Sequence, residues 1–151
     1  MYSKGIEDYL EAIYNIILRK GYARTKDIAE ELNVTSPSVS AMLKKLHSED
    51  LIFYERYSGV TLAPEGEELA KSIKHRHDTL TKLLKIIFVS EDVAERDACN
   101  LEHNLSPESI TQLTNFVNFI ESRPIHPQWL EHFKTFCETG DYECKKLKDR
   151  G

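Results

Sequence analysis

Apolar residues recur at helical spacing through most of this chain. Ile6, Tyr9, Leu10, Ile13, Tyr14 and Ile17 repeat every three to four positions, the period of one face of an α-helix. The spacing predicts a helix from Ser3, a suitable N-cap, to Lys20, closed by basic residues and Gly21. Asp8, Glu11 and Asn15 fall on a different face of it. Thr25 opens a short second helix, Lys26 to Leu32, and Asn33 then supplies a turn residue that tolerates a left-handed backbone. Thr35 or Ser36 caps a third helix that has Pro37 at its first position and runs to about Glu49, burying Val39, Met42, Leu43 and Leu46. A short helix with small Ala29 at its middle, a tight turn and a Ser/Thr-rich second helix form the helix-turn-helix pattern.

The period then changes. Leu51 to Tyr57 and Val60 to Leu62 are β-prone runs joined by Ser58-Gly59, which predicts a hairpin, the wing of a winged helix, with Arg56 and Tyr57 at its tip. Helical spacing returns from Pro64 to about Phe88, where Leu69, Ile73, Leu80, Leu83, Leu84 and Ile87 make a stripe wider than one small wing-helix core needs. A further helix is expected from its cap at Ser90 through Asn104, and another after the Ser106-Pro107 cap to about Glu121. Trp129, Phe133 and Phe136 mark a last short helix, expected to pack back on the second domain. The resulting fold class is mainly α: an N-terminal winged helix-turn-helix with a short β-hairpin wing, followed by a helical dimerisation domain. The expected divisions are 1–63 for DNA binding, 64–122 for a linker helix and a metal-binding and dimerisation domain, and 123–151 for a short helical extension.

Charge sharpens this reading. The chain of 151 residues carries a net charge of -5, which by itself argues against nucleic acid. The acidity is regional: residues 1–63 hold 8 basic and 9 acidic side chains, whereas residues 64–122 hold 6 and 11. A DNA surface in the first part needs only local basic character. Small polar side chains at Thr35, Ser36, Ser38 and Ser40 let the start of the third helix approach a major groove closely, with Pro37 setting its first turn. Thr25, Lys26, Lys44, Arg56 and Tyr57 complete the expected contacts to double-stranded DNA. No run is long and apolar enough for a membrane span, the longest being interrupted by Lys85, and no leader pattern opens the chain. Three cysteines do not make a disulfide framework, so a cytoplasmic setting is expected. Cys137 and Cys144 are too widely spaced for a CxxC metal knuckle.

The chemistry concentrates at Cys99, Glu102 and His103. Read as helix, these positions place a thiolate, a carboxylate and an imidazole on one face. Asp8 and Glu11, together with His77, are the other candidate donors. Catalysis is not expected: the chain has no HExxH, no paired acid/base glutamates and no phosphate-cradling glycine loop. The competing reading at this point is a winged-helix regulator answering to a small organic ligand.

The motifs Asp8-Tyr-Leu-Glu11-Ala-Ile-Tyr14, Ile28-Ala-Glu-Glu-Leu-Asn-Val34, Ser36-Pro-Ser-Val-Ser40, Pro64-Glu-Gly66, His75-Arg-His77 and Cys99-x-x-Glu102-His103-x-Leu-Ser106 occur in an order and spacing that resemble the diphtheria-toxin-repressor family. This family contains the iron-dependent and manganese-transport regulators, and the resemblance spans roughly residues 3–122. It implies a homodimer that clamps a palindromic operator when Fe(II) or Mn(II) is bound, and so represses metal-uptake or metal-homeostasis genes. It carries metal-binding roles to Asp8, Glu11, His77, Cys99, Glu102 and His103. Asp8 and Glu11 resemble the manganese-responsive branch, and Cys99 resembles the iron-responsive one. A thiolate among carboxylates and imidazole shifts preference from Mn(II) towards Fe(II), so Fe(II) is the first expected effector and Mn(II) the second. The iron branch's second metal site wants a glutamate near Thr81, which threonine replaces poorly.

Overall fold

A computed structural model describes residues 2–55, 57–123 and 127–141 of the chain. Helix α1 (Lys4–Lys20) begins after Ser3 and ends at Gly21. Its buried face carries Ile6, Tyr9, Leu10 and Ile13, as the spacing requires, but also Glu7, and Ile16 is buried where half-buried Ile17 was expected. Helix α2 (Thr25–Leu32) starts one residue earlier than expected. Arg24 is its N-cap, and the Asp27 carboxylate accepts the Arg24 backbone N–H, so one of the helix's first unpaired donors is satisfied. Asn33 takes the left-handed conformation at φ 52° and turns the chain into α3 (Ser36–Ser48). Thr35 is the α3 cap, its Oγ1 accepting from the Ser38 N–H, and Pro37 lies in the first turn.

Strands β1 (Ile52–Glu55) and β2 (Gly59–Leu62) pair antiparallel, with Ile52 opposite Leu62 and Glu55 opposite Gly59. Val60 also exchanges both backbone hydrogen bonds with Ala23, which fastens the wing to the segment between α1 and α2. Gly59 sits at φ 95°, and a Cβ there would meet the Ala23 carbonyl oxygen at 2.8 Å, so backbone approach as well as conformation selects glycine.

Helix α4 (Pro64–Ile86) follows directly. Gly66 in its first turn lies against the Leu51 carbonyl, and any Cβ would overlap that oxygen. The Pro64-Glu-Gly66 motif is therefore a packing requirement: the helix can start only where its backbone touches the base of the wing. Helices α5 (Glu91–Leu101), α6 (Pro107–Glu121) and α7 (Gln128–Thr139) complete the described elements.

The chain divides into two compact units, Met1–Asp78 and Thr79–Gly151. In the first, Leu10, Ile13, Ile28, Leu43, Leu46, Leu51, Ile52 and Ile73 are among the side chains of one buried cluster, so three helices, the hairpin and the start of α4 share a core. In the second, Leu80, Ala98 and Ile110 form the buried cluster, with Leu105 and Leu113 packed against it.

Two local expectations are corrected. Helix α5 ends at Leu101, three residues short of Asn104, because Glu102 caps it and Glu102 to Asn104 form a turn. On α7 the buried residue is Leu130, while Trp129 and Phe136 remain exposed. Its aromatic stripe touches other residues only in part: Phe133 stacks on Phe88 at 5.9 Å, and Trp129 leans on Phe116 at 6.4 Å.

Candidate metal centre and nucleic-acid interface

The sequence placed Cys99, Glu102 and His103 on one helical face; α5 ends at Leu101, but Glu102 keeps helical backbone angles with its N–H on the Ala98 carbonyl, and Cys99 and Glu102 stay together. Cys99 is in the last turn of α5 and exposed, Glu102 is the cap, and His103 lies in the turn beyond. The Glu102 side chain is 1% exposed, and His103 Nε2 lies 3.2 Å from Glu102 Oε1 with the His103 side chain 5% exposed. A carboxylate is costly to bury without cationic or hydrogen-bonding company.

His77 is carried by α4, whose next turn (Thr79, Leu80, Thr81) is buried. His77, Cys99 and Glu102 each offer one ligand atom, and the three atoms lie within 4.8 Å of one another. Donors around a shared transition-metal ion, at about 2.0–2.3 Å each, stand roughly 3–4.5 Å apart, so this group fits an ion after small side-chain adjustments. The donor set is imidazole, thiolate and carboxylate, which suits a first-row divalent metal rather than Ca(II) or Mg(II). The exposed Cys99 leaves a solvent route to it.

Asp8 and Glu11 stand one turn apart on α1, both half-buried. Neither they nor His103 belongs to the three-residue group. Sequence reading singled out Asp8 and Glu11 but passed over Glu7 between them and the apolar stripe. Its signal was present: Glu7 lies three residues before Leu10 and one after Ile6, a carboxylate inside an apolar face. In the structure it is buried and paired with Arg76 on α4, whose Nη2 donates to Glu7 Oε2 at 3.0 Å.

Among the described residues, those expected to contact DNA are exposed or half-buried. Thr35, Ser36, Pro37 and Ser38 are exposed at the start of α3, Ser40 is half-buried, and Lys44 is exposed one turn further on. Thr25 opens α2, where exposed Lys26 makes a loose pair with Glu30 at 3.8 Å. Tyr57 at the hairpin tip is 91% exposed. Arg56, also expected to contact DNA, lies outside the described residues, as does Cys144. The α3 start combines an open helix N-terminus with hydroxyl side chains, the arrangement that accepts phosphate oxygens and base edges.

Comparison with known proteins agrees with both halves. Residues 1–60 match the iron-dependent repressor N-terminal DNA-binding domain, and residues 63–131 match the iron-dependent repressor metal-binding and dimerisation domain. The HTH-type transcriptional regulator MntR of Lysinibacillus sphaericus (strain C3-41) is 41% identical over 135 residues, 89% of this chain and 97% of that protein. MntR of Listeria monocytogenes serotype 4b (strain CLIP80459) is 39% identical over 146 residues, 97% of this chain and all of that one. Among solved structures, the manganese regulator SloR matches with TM-score 0.66 and 32% identity, covering 81% of this chain and 56% of SloR. T. acidophilum IdeR matches with TM-score 0.66 and 30% identity, covering 73% of this chain and 52% of IdeR. The chain thus spans about half the length of these solved relatives and nearly all of the MntR proteins. The chain belongs to the iron-dependent repressor family, and is a metal-dependent, DNA-binding transcriptional regulator rather than an enzyme.

Proposed function

We propose that this regulator is a homodimeric repressor whose effector is Fe(II) or Mn(II), held by Asp8, Glu11, His77, Cys99, Glu102 and His103. The observation that carries the reading is the approach of one ligand atom each from His77, Cys99 and Glu102 to within 4.8 Å. The bound ion would supply positive charge where several acidic and thiol donors converge. The residues do the rest. Glu102 presents a carboxylate oriented by the helix end, and His103 stands against it. Asp8 and Glu11 offer carboxylates from α1 in the DNA-binding half. Donors drawn from both halves make the orientation of one recognition helix relative to its partner's depend on ligation, and so the fit of the dimer to a palindromic operator. Metal and operator then strengthen each other by the same factor. Cys99 must lose its proton to ligate, so metal affinity falls as pH falls.

Divisions at 1–63, 64–122 and 123–151, a cytoplasmic setting and regulation of metal-uptake or metal-homeostasis genes complete the proposal. DNA contacts are assigned to Thr25, Lys26, Thr35, Ser36, Pro37, Ser38, Ser40, Lys44, Arg56 and Tyr57. Two observations divide the choice of metal. The thiol of Cys99 supports Fe(II), which such donors bind more tightly than Mn(II). Similarity to MntR proteins and to the manganese regulator SloR supports Mn(II).

The test is operator binding by chelator-stripped protein, at fixed salt and without oxygen, repeated with each divalent ion. Affinity is expected to rise at least tenfold with Fe(II) or Mn(II), and equal affinity with and without metal would overturn the reading. Glu102→Gln combined with His103→Ala is expected to abolish that response while the protein remains folded and dimeric. Cys99→Glu is expected to lower the ratio of Fe(II) to Mn(II) affinity; an unchanged ratio would remove the thiol from the ligand set.

A further inference from the structure

We infer that Glu7 and Arg76 are positioning residues for the metal centre, holding α1 and α4 in the rotation that presents their immediate neighbours, Asp8 and His77. The inference rests on the ligand set proposed above. The two residues are 69 positions apart in sequence, yet Arg76 Nη2 donates to Glu7 Oε2 at 3.0 Å, with side chains 20% and 8% exposed. Both belong to the unit Met1–Asp78.

Packing alone does not call for this pair. The α1 residues around Glu7 are Ile6, Tyr9 and Leu10, and they join Ala70 and Ile73 of α4 in one apolar cluster. Apolar contact is non-directional, and side chains of similar volume at positions 7 and 76 would bury as well or better than a desolvated ion pair. The pair is also incompletely satisfied: Arg76 Nε is buried with no hydrogen-bond partner, so the guanidinium grips its carboxylate through one arm.

What a directional bond adds is rotation. Successive helix residues are about 100° apart, so aiming Glu7 at Arg76 also sets the azimuth of Asp8, and the same bond sets His77 on α4. A metal centre tolerates only about 0.5 Å or 10–20° of error in its donors. The Glu7–Arg76 bond supplies that precision before any ion arrives.

The experiment uses the full-length dimer, with Mn(II) alone as the probe. Glu7→Gln keeps the shape and removes the charge. The pair Glu7→Leu with Arg76→Met replaces the ion pair by apolar side chains. Each is read by Mn(II) titration and by the melting temperature of the metal-free protein. The expected result is a loss of Mn(II) affinity of tenfold or more in both, with the metal-free melting temperature of the apolar pair at or above that of the parent protein. Unchanged Mn(II) affinity in Glu7→Gln or in the apolar pair would overturn the inference. So would an affinity loss in Glu7→Gln alone that the stably folded apolar pair does not share. Failure of the ligand set itself shows separately, as retained Mn(II) affinity in Glu102→Gln with His103→Ala.

Discussion

In the unit Met1–Asp78, sixteen buried side chains from α1, α2, α3, the hairpin, α4 and the segments between them join in one cluster. In the unit Thr79–Gly151 the buried apolar cluster among the described residues is Leu80, Ala98 and Ile110. The surfaces differ less, since the first unit also exposes Leu18, Tyr22, Val34, Phe53 and Tyr57. Ile87, Phe88, Leu101, Phe116, Phe119, Trp129 and Phe136, all of the second unit, are each more than a third exposed. Exposed apolar area on this scale marks an interaction surface. The first unit closes one large core, whereas the second, which also buries Ala94, Val117, Ile120 and Leu130, leaves a set of large apolar side chains exposed for another surface to cover. For a segment matching a dimerisation domain, that surface is a second copy of the chain.

The comparison can be broken most forcefully at the first core. Leu10 is fully buried, so Leu10→Ala should cost about 3 kcal/mol of stability through lost burial and a residual cavity. Denaturant unfolding should show the loss equally at low and high protein concentration, since the first core needs no partner.

Next in size is Gly66→Ala, where the added methyl group overlaps the Leu51 carbonyl. A fixed backbone atom cannot give way like a side chain, and the expected cost is roughly 2–3 kcal/mol. A nuclear magnetic resonance spectrum should place the disturbance at the wing base and the α4 start. An effect below about 0.5 kcal/mol would show that the contact is relaxed in solution.

The second unit should respond to concentration instead. Each tenfold dilution of a dimer removes about 1.4 kcal/mol of association free energy, so its unfolding midpoint should fall on dilution while that of the first unit stays put. Phe116→Asp with Trp129→Asp, which alters two aromatic rings in contact, should shift sedimentation towards monomer. Dimerisation unchanged by this pair would place the covered face elsewhere on the unit.

The smallest effect concerns Asp27. Its hydrogen bond from Lys20, reinforced by the Arg24 N–H, holds its carboxyl below the usual carboxylate range despite some opposing burial. A carboxyl with a lowered folded-state pKa contributes stability that is present above the unfolded value, near pH 4, and lost as pH falls through the folded one. Asp27→Asn should therefore cost about 1 kcal/mol at neutral pH and flatten the acid side of the stability profile. Identical acid limbs in the two proteins would contradict the cap's electrostatic role.

Much of this protein was legible in its residue order because the signals are local. Apolar spacing, Ser3, Asn33, Pro37, Ser58-Gly59 and Ser106-Pro107 specify φ/ψ preferences and caps within a few residues of themselves. The helix-turn-helix and wing follow from them, and three of the candidate metal donors, His77, Cys99 and Glu102, were readable as chemistry and lie together. Other features depend on partners distant in sequence. That Glu7 is a buried ion-pair member is set by Arg76, 69 residues away. That Glu102 at the end of α5 is buried depends on how the helix end meets the surrounding fold. The aromatic residues of α7 share a period that suggests a core, yet the core took Leu130 instead. Periodicity names the face of a helix that carries apolar atoms; only three-dimensional packing decides which of those atoms leave water within the chain and which remain available to a second copy.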